Sequence, residues 1–315
     1  MISAQGLTKR FSTRRSELTA VDGVDFDIAD GEFVGYVGPN GAGKSTTIKM
    51  MCGILRPTAG RIVVDGLVPC DDRRKLSRRM GVVFGQRSQL WWDLPLRVSF
   101  QLVRRLYGVE PLAFQCRLAQ LTDLLELGPL LERPVRALSL GQRMRGELAA
   151  AVLPAPRVLF LDEPTIGLDI EAKAAVRSFL AELNREQGTT TVLTTHDLGD
   201  IVQLCRRILI IDHGRVIYDG SVEGLREAFD VGRGLVVDLF QEGPVEVEGA
   251  ILLRSEGRRH WLQVPRSQRT ADVVGRMLAS YEVEDLTVEE PDIEDVVRRI
   301  YREGGVLGDS SNGGS

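Results

Sequence analysis

Nowhere in its 315 residues does the sequence run eighteen or so apolar residues together, so no segment is built to span a bilayer. Cysteine is scarce. Cys52, Cys70, Cys116 and Cys205 are the only four, and none lies at a paired metal-site spacing, so they read as reduced thiols of the cytosol. Met1 leads directly into "ISAQGLTKRF" without a basic-plus-apolar leader, which again predicts a cytosolic chain. Excess positive charge is missing too. The formal net charge is −4, which argues against a general nucleic-acid binder with its basic face. Only five of the forty basic residues are lysine, a bias that reads as genomic. No internal repeat is present. What is there is an ordinary globular composition, 43% hydrophobic and 27% charged, in a length that suggests two domains, one of them large.

Short β-rich runs between Gly and Asp turns open the chain in "AVDGVDFDIADGEFVGYVG". "TTIKMMCGIL" is helical in period and stops at Pro57, and "GRIVVDGLV" and "RRMGVVF" predict strands. From Val98 to about Ala151 the period is helical, in "VSFQLVRRLYGV", "LAFQCRLAQLTDLLEL" and "GQRMRGELAAAVL". "RVLFLDEP" is a near-continuous apolar strand, as when both faces of a sheet are covered. A helix over "IEAKAAVRSFLAELNREQ", a strand over "TTVLTTHD" and two strands across the His-Gly turn of "RRILIIDHGRVIYDG" follow. This alternation predicts an α/β core over residues 1–230, with a helical insertion at about 86–151. Composition shifts near Asp230. "GLVVDLF", "VEVEGAILLRSEGRRHWLQV" and "YEVEDLTVEE" predict strands, and "TADVVGRMLAS" and "DIEDVVRRIYRE" helices, giving a small, ferredoxin-like α+β domain over 231–304, entered through "DVGRG". The Gly/Ser-rich tail, 305–315, is expected to be disordered.

The chemistry starts at "GPNGAGKST", that is Gly38, Pro39, Asn40, Gly41, Ala42, Gly43, Lys44, Ser45 and Thr46. It fits G-x-x-x-x-G-K-[ST] between a strand and a helix. Backbone N–H groups of such a loop cradle phosphate oxygens, helped by the positive end of the helix. Lys44 would reach the β- and γ-phosphates and Ser45 would ligate Mg²⁺. A nucleotide loop alone leaves GTPase, kinase and ATPase open. "VLFLDEP" ends its strand in Asp162 and Glu163, one placed to hold Mg²⁺ through water, the other to orient and deprotonate the attacking water. "TTHD" sets His196 at another strand end, where a γ-phosphate could sit. A third piece decides between them. "ALSLGQRMRGELAAAVL" puts Ser139 and Gly141 at a helix entrance, with Gln142 beside them, and so makes a second anion site. One triphosphate does not need two, unless the second completes a site on a neighbouring copy.

With these motifs in this order, residues 2–226 resemble the nucleotide-binding subunit of ATP-binding cassette (ABC) transporters. Gly38–Thr46 matches Walker A, Gln86 the Q-loop, Leu138–Gln142 the signature, Val158–Glu163 Walker B, Ile166–Asp169 the D-loop and His196 the switch histidine. Phe11 falls where the family has an aromatic that stacks on adenine. The resemblance implies a P-loop NTPase cassette binding ATP and Mg²⁺, with Gln86, Glu163 and His196 catalytic and Ser45, Gln86 and Asp162 at the metal. It also implies a head-to-tail dimer in which Ser139, Gly141, Gln142 and Asp169 approach an ATP held between two copies, identical or paralogous. The attached membrane domains would move as the dimer closes and reopens.

Leu140 replaces the first glycine of the common L-S-G-G-Q signature, so a helical or extended backbone is expected there rather than φ > 0. "LSLGQRM", "FGQRSQLWWDLP" and "LDEPTIGLD" resemble the subgroup serving drug, polysaccharide and viologen-type exporters, as does the closing "EPDIEDVVRRIY". Its membrane subunits are separate chains, which would hold this one at the cytoplasmic face of the membrane. Two alternatives stay open. One is a soluble ABC ATPase without a transporter, though such relatives carry coiled coils or two cassettes per chain. The other is a silent regulatory subunit, though Glu163 and His196 are both present. Trp91 and Trp92 follow Gln86 closely, where the family has a groove for a short helix of the membrane subunit. The adjacent indoles are expected to split, at least one facing the partner with Leu94 and Leu96 nearby.

Overall fold

A computed structural model of the chain describes residues 1–12, 17–85, 88–195, 197–228, 232–289 and 296–297. Contacts divide the chain into two compact units, Met1–Gly220 and Ser221–Val306. The first unit runs β1 (Ile2–Ser12), β2 (Glu17–Ile28), β3 (Phe33–Val37), α1 (Lys44–Met51), β4 (Ala59–Val64), α2 (Arg73–Ser77) and β5 (Met80–Phe84). The helices α3 (Leu96–Tyr107), α4 (Pro111–Leu124) and α5 (Leu140–Val152) come next. β6 (Val158–Asp162), α6 (Ile170–Gln187), β7 (Thr190–Thr194), α7 (Leu198–Leu204), β8 (Arg207–Asp212) and β9 (Arg215–Ser221) complete it. β1 pairs antiparallel with β2 on one side and β4 on the other. A second sheet has the order β5-β6-β7-β3-β8-β9, and its first five strands are parallel.

Parallel strands covered on both faces should be apolar throughout, and every residue of β3 and β7 is buried. Tyr36 and Phe160 are fully enclosed in a core that also takes Ile48, Met50 and Met51 from α1. The consequence for function is directional. β3, β5, β6 and β7 all point the same way, so the loops after Val37, Phe84, Asp162 and Thr194 emerge on one edge of the sheet, where open α/β sheets bind their ligands. β8 and β9 meet at His213 and Gly214, with φ of 45° and 80°, the left-handed pair that a tight hairpin turn requires.

The second unit begins at Ser221, before the composition shift near Asp230. α8 (Val222–Ala228) opens it, and its sequence "VEGLREA" resembles any surface helix of the first unit, so composition does not mark the change. β10 (Arg233–Leu239), β11 (Ile251–Glu256), β12 (Arg259–Val264), α9 (Thr270–Ser280) and β13 (Val283–Glu289) follow. They form an antiparallel sheet of order β11-β12-β10-β13, with Val273 and Met277 of α9 buried in its core. A ferredoxin-like βαββαβ chain has a helix in both crossovers. Here only the second is helical. "VEVEG", expected as a strand, is irregular. Tyr281 Oη accepts from Glu246 N–H at 2.9 Å and donates to Glu246 O at 3.1 Å, so one side chain meets the backbone groups that a strand partner would. The alternation still reports burial, since Val245 and Val247 are in the core. Of "DIEDVVRRIYRE" only Val296 and Val297 are described, both helical and buried; the rest, and the 305–315 tail, lie outside the described residues. No helix among the described residues is long and apolar enough to cross a membrane.

Phe160→Ala should cost about 3–5 kcal/mol of folding stability, the loss for a fully enclosed aromatic that leaves a cavity. Urea denaturation followed by circular dichroism measures it, and an unchanged midpoint would contradict this account of the core.

Candidate active site

The edge of the parallel sheet gathers the phosphate loop and the two acidic residues. Gly43 caps α1 with φ of 107°, and no side chain caps that helix. A Cβ at Gly43 would lie 2.3 Å from Ala20 O, so both conformation and space demand glycine. The first turn of α1 thus presents its N–H groups to a ligand rather than to a capping side chain. Pro39, Asn40 and Gly41 are exposed, Gly38, Ala42 and Gly43 buried, and Ser45 and Thr46 half-buried. Lys44 is only 7% exposed, and its Nζ donates to Gly38 O at 2.6 Å and Pro39 O at 3.1 Å. Burial pulls its pKa below the ordinary lysine value, while the charges of Glu163 and Asp162 hold it up. An anion in the loop would add to that support.

Asp162 ends β6. Its Oδ1 accepts from Thr194 Oγ1 at 2.6 Å and from Ser45 Oγ at 3.4 Å. Glu163 has φ of 57°, a left-handed conformation uncommon for a side chain of its size and a frequent mark of functional positions. Its N–H donates to Thr194 O at 2.9 Å. Gly85 packs against this turn: its N–H donates to Asp162 O at 2.7 Å, and a Cβ there would lie 2.4 Å from Glu163 O. Gln86 and His196 themselves lie outside the described residues. The neighbours of His196 are firmly held, since Thr195 Oγ1 donates to Asp200 at 3.3 Å and accepts from Asp197 N–H at 3.0 Å. Asp200 is fully buried and takes further bonds from Thr165 Oγ1 and Arg177 Nε, each 2.5 Å.

Ser139, Gly141 and Gln142 form a separate group. Ser139 caps α5 in a capping box, with Gln142 N–H donating to Ser139 Oγ at 3.2 Å and Ser139 N–H to Gln142 Oε1 at 3.1 Å. Leu140 is helical, at the first position of α5. None of the bonds that hold Lys44, Ser45 and Asp162 reaches this group. Asp169 is exposed and caps α6 through Ala172 N–H at 2.7 Å. Phe11, at the end of β1, is 37% exposed with Lys9 Nζ 5.2 Å from its ring centre.

These elements match a known family. The ABC transporter family profile covers residues 21–166. A daunorubicin resistance ATP-binding protein of Streptomyces coeruleorubidus is 34% identical, over 94% of this chain and 94% of its own. The chain belongs to the ATP-binding proteins of ABC transporters. A methionine import ATP-binding protein of Halalkalibacterium halodurans is 35% identical over 70% of this chain and 67% of its own. Among solved structures, a dimeric bacterial ABC transporter cassette has a TM-score of 0.65 at 27% identity, covering 70% of this chain and 98% of its own. The cassette is an ATPase, binding ATP and coupling its hydrolysis to transport.

Both indoles of this cassette are open, Trp91 at 37% and Trp92 at 51% exposure. Adjacent side chains seldom face the same way, which is the ground for expecting a split, but Trp91–Leu94 is a turn closed by Leu94 N–H to Trp91 O at 3.1 Å, and it leaves both indoles exposed. Arg143 sits 5.8 Å from the Trp92 ring centre, and Arg136 pairs with Asp93. Leu94 is half-buried, but Leu96 is fully enclosed and belongs to the core, not to this surface. The segment is anchored by a residue the sequence reading missed. Glu147 of α5, 3% exposed, accepts from Ser88 Oγ and from Gln89 N–H at 3.1 Å, and Gln89 Nε2 donates to Glu147 O at 3.0 Å. A glutamate between apolar neighbours in "GELAAAV" was the available signal, because such a carboxylate needs partners inside.

Burial pushes the Glu147 carboxyl above the usual glutamate range, and the bonds from Ser88 and Gln89 oppose the rise. The fold therefore holds this proton more tightly than the unfolded chain does. The contribution to stability is fullest in acid and declines as pH rises from the ordinary glutamate value through the raised one. Glu147→Gln should flatten that decline, whereas Glu147→Ala should cost about 1–3 kcal/mol by stranding the Gln89 N–H. Thermal melts across pH would show both, and parallel profiles for wild type and Glu147→Gln would refute the account.

Proposed function

We propose that this chain is the ATPase of an exporter, working as a head-to-tail dimer on separate permease chains at the cytoplasmic face of the membrane. The observation that carries export is the extent of the drug-resistance match, 94% of both chains, which takes in the second unit as well as the cassette. Dimerisation draws support from the solved dimeric cassette and from the second capped helix entrance at Ser139, which none of Lys44's bonds reaches. In this reading Ser139, Gly141 and Gln142 meet the ATP held by the phosphate loop of the other copy, with Asp169 beside them. Phe11 offers its exposed ring to adenine.

Lys44 exchanges its bonds to the Gly38 and Pro39 carbonyls for phosphate oxygens. Mg²⁺ fits the donors present, because Ser45 and Asp162 bring hard oxygens together beside the loop, and Gln86 follows Gly85, whose N–H donates to Asp162 O. Such an ion would be held by Ser45 and Asp162 and would supply neutralisation of the phosphate charge. Glu163 takes the proton of the attacking water, and its charge already acts on Lys44 of the phosphate loop. His196 stands at the γ-phosphate, between the anchored Thr195 and Asp197. A soluble ATPase without a permease is the other reading, and the exposed tryptophan pair speaks against it.

Glu163→Gln removes the base and keeps the shape, so ATP should still bind while turnover falls by about 10²–10⁴-fold. Size-exclusion chromatography should then trap an ATP-bound dimer, and near-normal hydrolysis would end this assignment. Lys44→Ala should instead weaken nucleotide binding itself.

Trp91→Ala and Trp92→Ala should leave the melting temperature nearly unchanged, since both indoles are open. At least one should lose co-purification with the membrane chain, a deficit of about 2 kcal/mol or more. Loss of folding in both, or intact assembly in both, would overturn the docking role.

A further inference from the structure

Leu140 stands where the family's common signature has glycine, and the structure gives its side chain a definite seat. Gly167 has φ of 70°, and a Cβ built on it would lie 2.8 Å from Leu140 Cδ2. The leucine methyl therefore occupies the hollow above a residue that must be glycine. Beside it, a Cβ on Gly141 would lie 3.1 Å from Ala172 Cβ. The start of α5 thus rests on the loop Ile166–Asp169 and on the first turn of α6. That loop is fixed at its other end, because Ile166 N–H donates to Glu163 O at 3.4 Å and Thr165 is bonded to the buried Asp200. Since Leu140 is helical, the departure from glycine adds a contact without backbone strain.

We propose that Leu140 is a positioning residue that couples the two ATP sites of the dimer. The inference rests on the head-to-tail reading above. In that dimer the Ser139–Gln142 entrance faces the ATP carried by the other copy, while Ile166–Asp169 leads from Glu163 of the chain's own site. The Leu140–Gly167 contact therefore joins one site to the other within a single chain. When the start of α5 closes on one nucleotide, the methyl bears on the loop whose far end is bonded to the Glu163 carbonyl. The contact lies at the surface, with Leu140 38% exposed, and it transmits displacement by direct touch of the methyl on a loop that is bonded at Ile166 and at Asp169. Glycine at 140 would have no side chain to reach the loop.

The test uses the purified full-length chain with ATP and compares wild type, Leu140→Ala and Leu140→Met. Wild type should hydrolyse ATP cooperatively, with a Hill coefficient near the two sites available. Leu140→Ala should fall toward a coefficient of about 1 and lose kcat about fivefold or more, with half-saturating ATP nearly unchanged. Leu140→Met, which keeps the reach, should restore both. The same substitutions in the Glu163→Gln background report ATP-dependent dimerisation. If Glu163→Gln alone forms no such dimer, the dimer reading falls and this inference with it. If the dimer forms but wild type is not cooperative, or Leu140→Ala stays cooperative, or Leu140→Met behaves like Leu140→Ala, only the Leu140 assignment is overturned.

Discussion

The Asp162 carboxylate ties the carboxyl ends of the central strands to the start of α1. One of its oxygens accepts from Thr194 on the neighbouring strand and from Ser45 in the first turn of the helix. That arrangement needs β6 and β7 parallel and in register, which the pairing of Asp162 with Thr194 provides. It also needs β3 beside β7, so that the phosphate loop emerges on the same edge. The apolar sheet exists to bring these polar strand ends together. A slip of one residue in β6 would turn Asp162 to the other face.

Lys44, Glu147 and Asp200 are three ionisable groups of the first unit taken out of water, and each is met by polar partners. Lys44 leans on two carbonyls, Glu147 on Ser88 and the Gln89 amide, and Asp200 on Thr165, Thr195 and Arg177. Their settings differ in consequence. Lys44 sits at the mouth of the phosphate loop, where an anion can replace carbonyls. Glu147 and Asp200 are held inside, the first fixing Ser88 and Gln89 ahead of the exposed tryptophan turn, the second fixing Thr165 and Thr195. Removing a partner from such a group costs more than the bond itself, because a buried polar group is left unsatisfied.

Much of this was legible before any fold was known, for identifiable reasons. Walker A is read from glycines and a lysine at fixed spacing, because the chemistry of a phosphate cradle admits few substitutes. The apolar run before Asp162 announces a strand covered on both faces, and Ser139 ahead of "GQRMRGELAAAVL" announces a helix entrance. The failures are equally specific. "VEVEG" alternates like a strand, but its backbone groups are taken by Tyr281, distant in sequence. Composition puts the boundary near Asp230, while the contact division groups α8 with the second unit. Leu96 opens α3 and is enclosed by the core, and the paired indoles do not split because Trp91–Leu94 is a turn that leaves both of them exposed.

The sequence by itself determined the glycine-rich loop, the acidic strand end, the helix entrance at Ser139 and the alternation of strands and helices, since each is a local pattern with a local physical cause. Only the tertiary structure decided what those patterns touch. Asp162 meets Thr194, Glu147 holds Ser88, and Leu140 rests on Gly167, all through contacts between residues far apart in the chain. No local spacing encodes such pairs. They arise when the parallel strands align and the helices pack over them.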